Sequence, residues 1–169
     1  YTSEEYAESV ALLRKVFDHP AITTDVIVGF PGETEEEFAQ TKEFLDRIQF
    51  FEMHIFKYSK REGTRAAVMS HQVPDPVKTT RSAELLAMEK EQSKQFRAHY
   101  VGQEAEVLLE ETKEIGGTEY LLGHTRDYVK LAVSVKENKK NVANTVICGR
   151  VQGFLTDEIL LLSPLEFSK

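Results

Sequence analysis

Apolar positions in the first hundred residues fall into a helix, strand, helix, strand order. Val10, Leu12, Leu13, Val16 and Phe17 recur at helical spacing behind Thr2-Ser3-Glu4-Glu5, where Thr2 or Ser3 can cap and acids fill the first turn. From Ala21 to Phe30 the chain is β-branched and nearly all apolar, which predicts a strand buried on both faces. Pro31-Gly32 breaks it. Thr34 with Glu37 three residues on then matches a capping box, and Phe38, Thr41, Phe44, Leu45 and Ile48 follow at helical spacing. A second strand is predicted over 51–58, with Met53, Ile55 and Phe56 apolar. This alternation is the rhythm of a parallel α/β sheet or barrel. Two strands alone leave sheet edges bare, so the unit is expected to be incomplete. Residues 60–75 read as a polar loop closed by Pro74 and Pro76. A long helix over 77–100, with Leu85, Leu86, Met88 and Phe96 on its apolar side, is expected to pack against this region and lead out of it.

After Gly102 the period becomes two. Strands are predicted over 104–111, 119–123, 128–136, 145–154 and 158–162, punctuated by Gly116-Gly117, Asn138-Lys139 and Thr156-Asp157. Five short strands in so few residues predict a small closed β-barrel, a class that includes oligonucleotide-binding modules. The fold class expected is therefore α/β plus all-β, divided as 1–100 and 101–169.

Composition narrows the chemistry. The 169 residues are 41% apolar, enough for a real core, and contain no run long enough to span a bilayer. Cys148, the single cysteine, sits in an apolar strand and reads as packed core. One cysteine excludes an internal disulfide, a multi-cysteine zinc site or an iron–sulfur cluster held by this chain. His19, His54, His71, His99 and His124 show no ligand spacing, so no metal site is expected, and no nucleophile–base pair is visible. The chain opens on a helix cap at Tyr1 without Met and is expected to be a piece of something longer.

A net charge of -7 argues at first against nucleic acid. Its distribution does not. Residues 124–152 carry Arg126, Lys130, Lys136, Lys139, Lys140 and Arg150 against Asp127 and Glu137, net +4, which leaves -11 for the rest. Tyr128, Lys130 and Ala132 alternate and would share one strand face, setting an aromatic beside cations for RNA; a solvated barrel face with a basic hairpin tip fits the same residues. At about 0.7 slope units per single-strand phosphate, four contacts give a salt slope near about -3.

Two further segments lie where strands end, the place α/β folds put ligands. Gly29-Phe30-Pro31-Gly32-Glu33-Thr34 joins the first strand to a capped helix: its glycines permit close backbone approach to a ligand, and it equally suits a tight strand-to-helix turn. It lacks the Lys-Ser/Thr pair of a P-loop. Phe56-Lys57-Tyr58-Ser59-Lys60-Arg61-Glu62-Gly63-Thr64-Arg65 leaves the second strand with net +3 over 57–65, able to meet a phosphate, a base or a carboxylate, or to be a solvated loop.

Taken in order, Thr23-Thr24-Asp25-Val26-Ile27-Val28-Gly29-Phe30-Pro31-Gly32-Glu33-Thr34, then Phe56 to Thr64, then the β module with Gly123-His124-Thr125-Arg126-Asp127-Tyr128-Val129, resemble the radical S-adenosylmethionine methylthiotransferases over nearly the whole chain. The resemblance implies a cytoplasmic parent with an N-terminal cluster domain, a radical (βα) barrel bearing CxxxCxxC, and a C-terminal TRAM domain. S-adenosylmethionine and two 4Fe-4S clusters would serve that parent. This chain would be the last part of the barrel followed by TRAM, with no catalytic residue and no cluster ligand of its own, and inactive alone. By the same resemblance Gly29, Phe30, Pro31, Gly32, Glu33, Phe56 and Tyr58 would line the S-adenosylmethionine cleft through backbone and apolar contacts. Ser59, Arg61, Gly63 and Thr64 would face its mouth, and Arg126, Tyr128, Lys130, Lys136, Lys139, Lys140 and Arg150 would hold a tRNA anticodon stem-loop. Three branches are similar: two install a methylthio group at C2 of adenosine 37, on an isopentenyl or a threonylcarbamoyl base, and one modifies an aspartate of a ribosomal protein. Thr23-Thr24-Asp25 and the segment from Met53 to Thr64 look closest to the threonylcarbamoyladenosine branch. A standalone non-catalytic RNA-binding module is the alternative of another class.

Overall fold

The computed structural model describes residues 2–136 and 143–165, so Lys139 and Lys140 lie outside the described residues. The chain divides after Ser93 into two compact units.

In the first unit, α1 (Ser3–Val16) is capped by Thr2, which accepts from the Glu5 amide while Glu5 reaches back to the Thr2 amide. β1 (Thr23–Val28) and β2 (Glu52–Lys57) pair in parallel, Val26 opposite Ile55 and Ile27 opposite Phe56. Between them α2 (Glu35–Ile48) starts on the Thr34–Glu37 capping box that the sequence predicts. A core of Val10, Val28, Phe38, Leu45, Ile48, Phe50, Met53 and Leu85 gathers on one face of the two strands, with Val26 and Ile55 packed against it.

The other face is open. Ile27 is 55% and Phe56 52% exposed, so the expectation that the first strand is buried on both faces is corrected. A continuous apolar run reports that both faces want cover; here only one face has it. The expected polar loop after β2 also holds a short helix, α3 (Arg65–Val68), capped by Thr64.

α4 (Asp75–Ala98) buries a largely polar stripe: Lys78, Arg81, Ser82, Leu85, Gln92 and Ser93. Leu86, expected inside, is half-exposed. Several of its polar groups meet specific partners. Gln92 donates to the Leu45 carbonyl at 3.1 Å and accepts from the Phe50 amide at 3.2 Å, as buried polar groups require.

In the second unit β3 (Glu104–Ile115), β4 (Thr118–His124), β5 (Lys130–Ser134), β6 (Thr145–Phe154) and β7 (Leu160–Pro164) close in the order β3-β4-β5-β7-β6. All pairings are antiparallel except β5 with β7. Val107, Leu109, Leu122, Leu131, Ala132, Val133, Leu160 and Leu162 are fully buried. Irregularities at Leu109/Glu111 in β3 and Val151/Gly153 in β6 supply the bends that let so few strands close. At Gly123 a Cβ would stand 1.9 Å from the Leu108 carbonyl oxygen, so only glycine allows β3 and β4 to approach there.

Candidate functional site

The turn from β1 into α2 is folded around one carboxylate. The Gly29 amide donates to Glu33 Oε2 at 2.7 Å, and the Glu33 amide donates to the Phe30 carbonyl at 2.9 Å. Gly29 and Gly32 both take left-handed backbone, at φ 73° and 92°. The Gly32 amide donates to the His71 carbonyl at 2.9 Å, tying the turn to the chain that follows α3.

α4 holds this turn from behind. The Arg81 guanidinium donates to Glu33 Oε2 at 2.5 Å and to Glu35 Oε2 at 2.9 Å, and it lies 5.1 Å from the Phe38 ring. Burial disfavours the Arg81 cation, but the hydrogen bonds to Glu35 and Glu33 outweigh it and hold it more firmly protonated than usual. The Lys78 stem lies against Gly29, and its ammonium sits 5.7 Å over the Tyr58 ring while pairing with Asp75 at 2.9 Å. That pairing, through a hydrogen bond and then its charge, lowers the Asp75 carboxyl below its usual range.

Phe30 and Tyr58 meet edge to face at 5.3 Å, and the Tyr58 amide extends the strand ladder to the Val28 carbonyl. Five of the seven residues expected along a cofactor cleft, Gly29, Phe30, Pro31, Gly32 and Glu33, therefore make one turn, with Tyr58 against it. Phe56 stands on the open sheet face. The Glu33 carboxylate is engaged by the turn itself, so what Glu33 offers a ligand is backbone. The Tyr58 hydroxyl is buried without a hydrogen-bond partner. A buried hydroxyl in that state suits a polar ligand arriving at this turn.

Ser59, Arg61 and Gly63 lie exposed beyond β2, and the Thr64 hydroxyl is occupied as the α3 cap, accepting from Ala67 at 3.3 Å. Lys78 and Arg81 are the residues here that the sequence pattern did not flag. Their spacing with Leu85 along α4, one buried row, was the available signal.

The barrel corrects the picture of a basic strand face. Tyr128 is not on a strand: it closes a turn at φ 62°, 75% exposed, while Ala132 points into the core. Each described cation between 124 and 152 that makes an ion pair meets an acid of β3. Arg150 pairs with Glu104 at 3.1 Å, Arg126 with Glu106 at 3.3 Å and Lys130 with Glu111 at 3.7 Å; His124 meets Glu110 at 2.8 Å. Charge that is segregated along the chain is thus interleaved in space. Lys136 is exposed at the end of the β5 segment.

Cys148 is likewise not core. It lies half-exposed on β6, its sulfur 3.8 Å from the Glu106 carboxylate, and partial burial followed by that charge pushes the thiol up. Among the described residues no group of three or more His, Cys, Asp or Glu is placed to hold a metal, and no helix is long and apolar enough to cross a membrane. With one cysteine, the chain does not fit a 4Fe-4S cluster, which takes several thiolates.

No family model matches the chain. Among curated proteins it is 40% identical over 139 residues to the threonylcarbamoyladenosine tRNA methylthiotransferase MtaB of Bacillus subtilis, covering 82% of this chain and 31% of that protein. It is 45% identical over 113 residues to the tRNA-2-methylthio-N(6)-dimethylallyladenosine synthase of Aquifex aeolicus, covering 67% and 26%. It is 39% identical over 113 residues to the ribosomal protein uS12 methylthiotransferase RimO of Clostridium botulinum, covering 67% and 25%. The chain thus spans less than a third of the length of these relatives. Identity at this level, over two thirds or more of this chain, places the chain in the radical S-adenosylmethionine methylthiotransferase family.

Proposed function

We propose that the chain is the C-terminal part of a cytoplasmic tRNA methylthiotransferase: the last strands and helices of a radical (βα) barrel, followed by a TRAM barrel. The parent would add a methylthio group to C2 of N6-threonylcarbamoyladenosine at position 37. The observation that carries this reading is the Gly29–Glu33 turn, fixed by Glu33 and Arg81 at the end of β1 beside the unpartnered Tyr58 hydroxyl, in a chain of this family. S-adenosylmethionine, when bound, supplies the radical chemistry of such enzymes. The part left to this chain is to present backbone and apolar surface at the turn, to exclude water with Phe30 and Phe56, and to hold RNA on the second unit. The open face of β1 and β2 would be covered by the remaining strands of the parent barrel.

Two experiments test this. Iron and sulfide added anaerobically to the chain should give no cluster absorbance; a bound cluster overturns the division of labour. Titration with anticodon stem-loops carrying threonylcarbamoyl- or isopentenyladenosine, and with an aspartate-bearing ribosomal-protein peptide, separates the branches. Stem-loop binding that weakens with salt, with a slope up to about -3, supports the reading, and salt-independent binding, or none even at low salt, counts against it. Binding of the peptide alone transfers the chain to the ribosomal-protein branch.

A further inference from the structure

The outer face of the barrel carries a small aromatic pocket whose polar rim is acidic. Leu108 of β3 lies opposite Val146 of β6 and His124 of β4, and the three lead to Tyr128. Together with Glu106, Glu110, Thr125 and Arg126 they enclose about 280 Å³, near the lower end of the roughly 300–1,000 Å³ of small-ligand sites. Leu108 is 44% and Val146 62% exposed, and the Tyr128 ring stands 5.6 Å from the His124 ring at 37°.

The pocket is preorganised. Tyr128 donates its amide to the Thr125 carbonyl at 3.1 Å, Thr125 donates to the Val129 carbonyl at 3.0 Å, and the Thr125 hydroxyl accepts from the Val129 amide at 3.1 Å. Val129 is fully buried beneath, and the Tyr100 hydroxyl holds the Asp127 carboxylate at 2.7 Å. The backbone that carries this aromatic is therefore already ordered before a flat partner stacks on it.

Its charges select the partner. Glu106 and Glu110 place carboxylates at the pocket, one oxygen of each already engaged, by Arg126 at 3.3 Å and His124 at 2.8 Å; they repel a phosphate, and their remaining lone pairs accept hydrogen bonds from N–H groups. Arg126, 90% exposed, pairs with Glu106 at 3.3 Å on the rim, where a backbone phosphate can share its guanidinium. We propose that this pocket takes one unstacked nucleobase bearing an exocyclic amino group (cytosine, adenine or guanine), stacked on Tyr128, with Glu106 and Glu110 accepting from the amino group and Arg126 meeting the flanking phosphate. Uracil, which presents carbonyl oxygens in place of an amino group, is disfavoured there. This inference rests on the reading of the barrel as an RNA-binding module and adds to it a site and a base preference.

The test is fluorescence anisotropy of the whole chain with labelled hexacytidylate, hexaadenylate and hexauridylate at two salt concentrations. The expected result is at least about fivefold tighter binding of the amino-bearing homopolymers than of hexauridylate, by analogy with carboxylate readout of cytosine. Tyr128→Ala should weaken hexacytidylate about tenfold with an unchanged salt slope, and Tyr128→Phe should restore it. Arg126→Ala should reduce the slope by about 0.7, and Glu106→Ala combined with Glu110→Ala should erase the base preference while leaving thermal unfolding in place. Binding that Tyr128→Ala leaves untouched overturns the pocket and spares the RNA reading. Equal affinity for all three homopolymers overturns the base preference. No binding at low salt overturns both, as does a lysine-rich peptide that alone shifts the Tyr128 and His124 resonances, since that assigns the pocket to a protein.

Discussion

Arg81 on α4 and Glu33 in the turn after β1 share a charge-assisted hydrogen bond, and the same Glu33 oxygen also accepts from the Gly29 amide. One carboxylate oxygen thereby links a helix far along the chain to the backbone of the candidate cleft. Arg81→Met leaves the mostly buried Glu33 charge without its cation. It should cost about 3 kcal/mol in the unfolding of the first unit, read by helical circular dichroism in urea. Glu35→Gln touches the same guanidinium through a group 77% exposed, and should cost less than about 1 kcal/mol. Equal costs would mean that Arg81 acts through general packing.

The two glycines of the turn should respond differently to alanine. Both sit at positive φ, which costs an L residue about 1–2 kcal/mol. At Gly32 a Cβ meets open space, so strain is the whole effect. At Gly29 it would lie 2.3 Å from Lys78 Cγ, close to the helix and not at the flexible end of the side chain. Gly29→Ala should therefore be the more destabilising, and adding Lys78→Ala should recover the difference but not the strain, as a double-mutant cycle in urea will show.

Gly123→Ala should be more damaging than either, because its Cβ would meet Leu108 backbone, which cannot step aside without opening the β3–β4 ladder. The expected outcome is loss of the cooperative barrel transition, visible as loss of amide-exchange protection at Leu122 and Leu131 while the first unit keeps its own.

If the β3 acids hold the barrel cations away from RNA, neutralising them should release binding. The combined substitution Glu104→Gln and Glu111→Gln frees Arg150 and Lys130 while leaving the Glu106–Arg126 pair of the pocket in place. Affinity for a single-stranded oligonucleotide should rise several-fold at about 50 mM salt, and the gain should shrink as salt screens it. An unchanged affinity would exclude these two cations from the RNA contact.

Cys148 offers a pH-dependent readout of the same face. Its thiol is raised by partial burial and by Glu106, so at any given pH less thiolate is present than in a free peptide. Alkylation by iodoacetamide should be slower than that of an unstructured thiol at about pH 8 and should gain on it as pH rises. Glu106→Gln should speed the reaction at about pH 8.

The sequence alone carried the local structure. The Thr34–Glu37 box starts α2, the alternation after Gly102 marks the barrel strands, and Pro31-Gly32 ends β1, because capping, period and chirality act over a few neighbouring residues. The motif order from Thr23 to Thr64 also carried the family. Three matters were decided by tertiary structure. Arg81 and Glu33 are 48 residues apart, and their bond exists only once α4 lies across the turn. Among the described residues Arg126, Lys130 and Arg150 do not form a bare basic patch because β3 brings Glu106, Glu111 and Glu104 beside them; these acids were in the sequence, but which strands they would neighbour was not. Tyr128 leaves its expected strand for a turn because Thr125 and Val129 close hydrogen bonds around it, which places its ring against His124. Charge and aromatic content are properties of composition, whereas what a charge or a ring faces is set by strand register and helix docking, which depend on contacts distant in sequence.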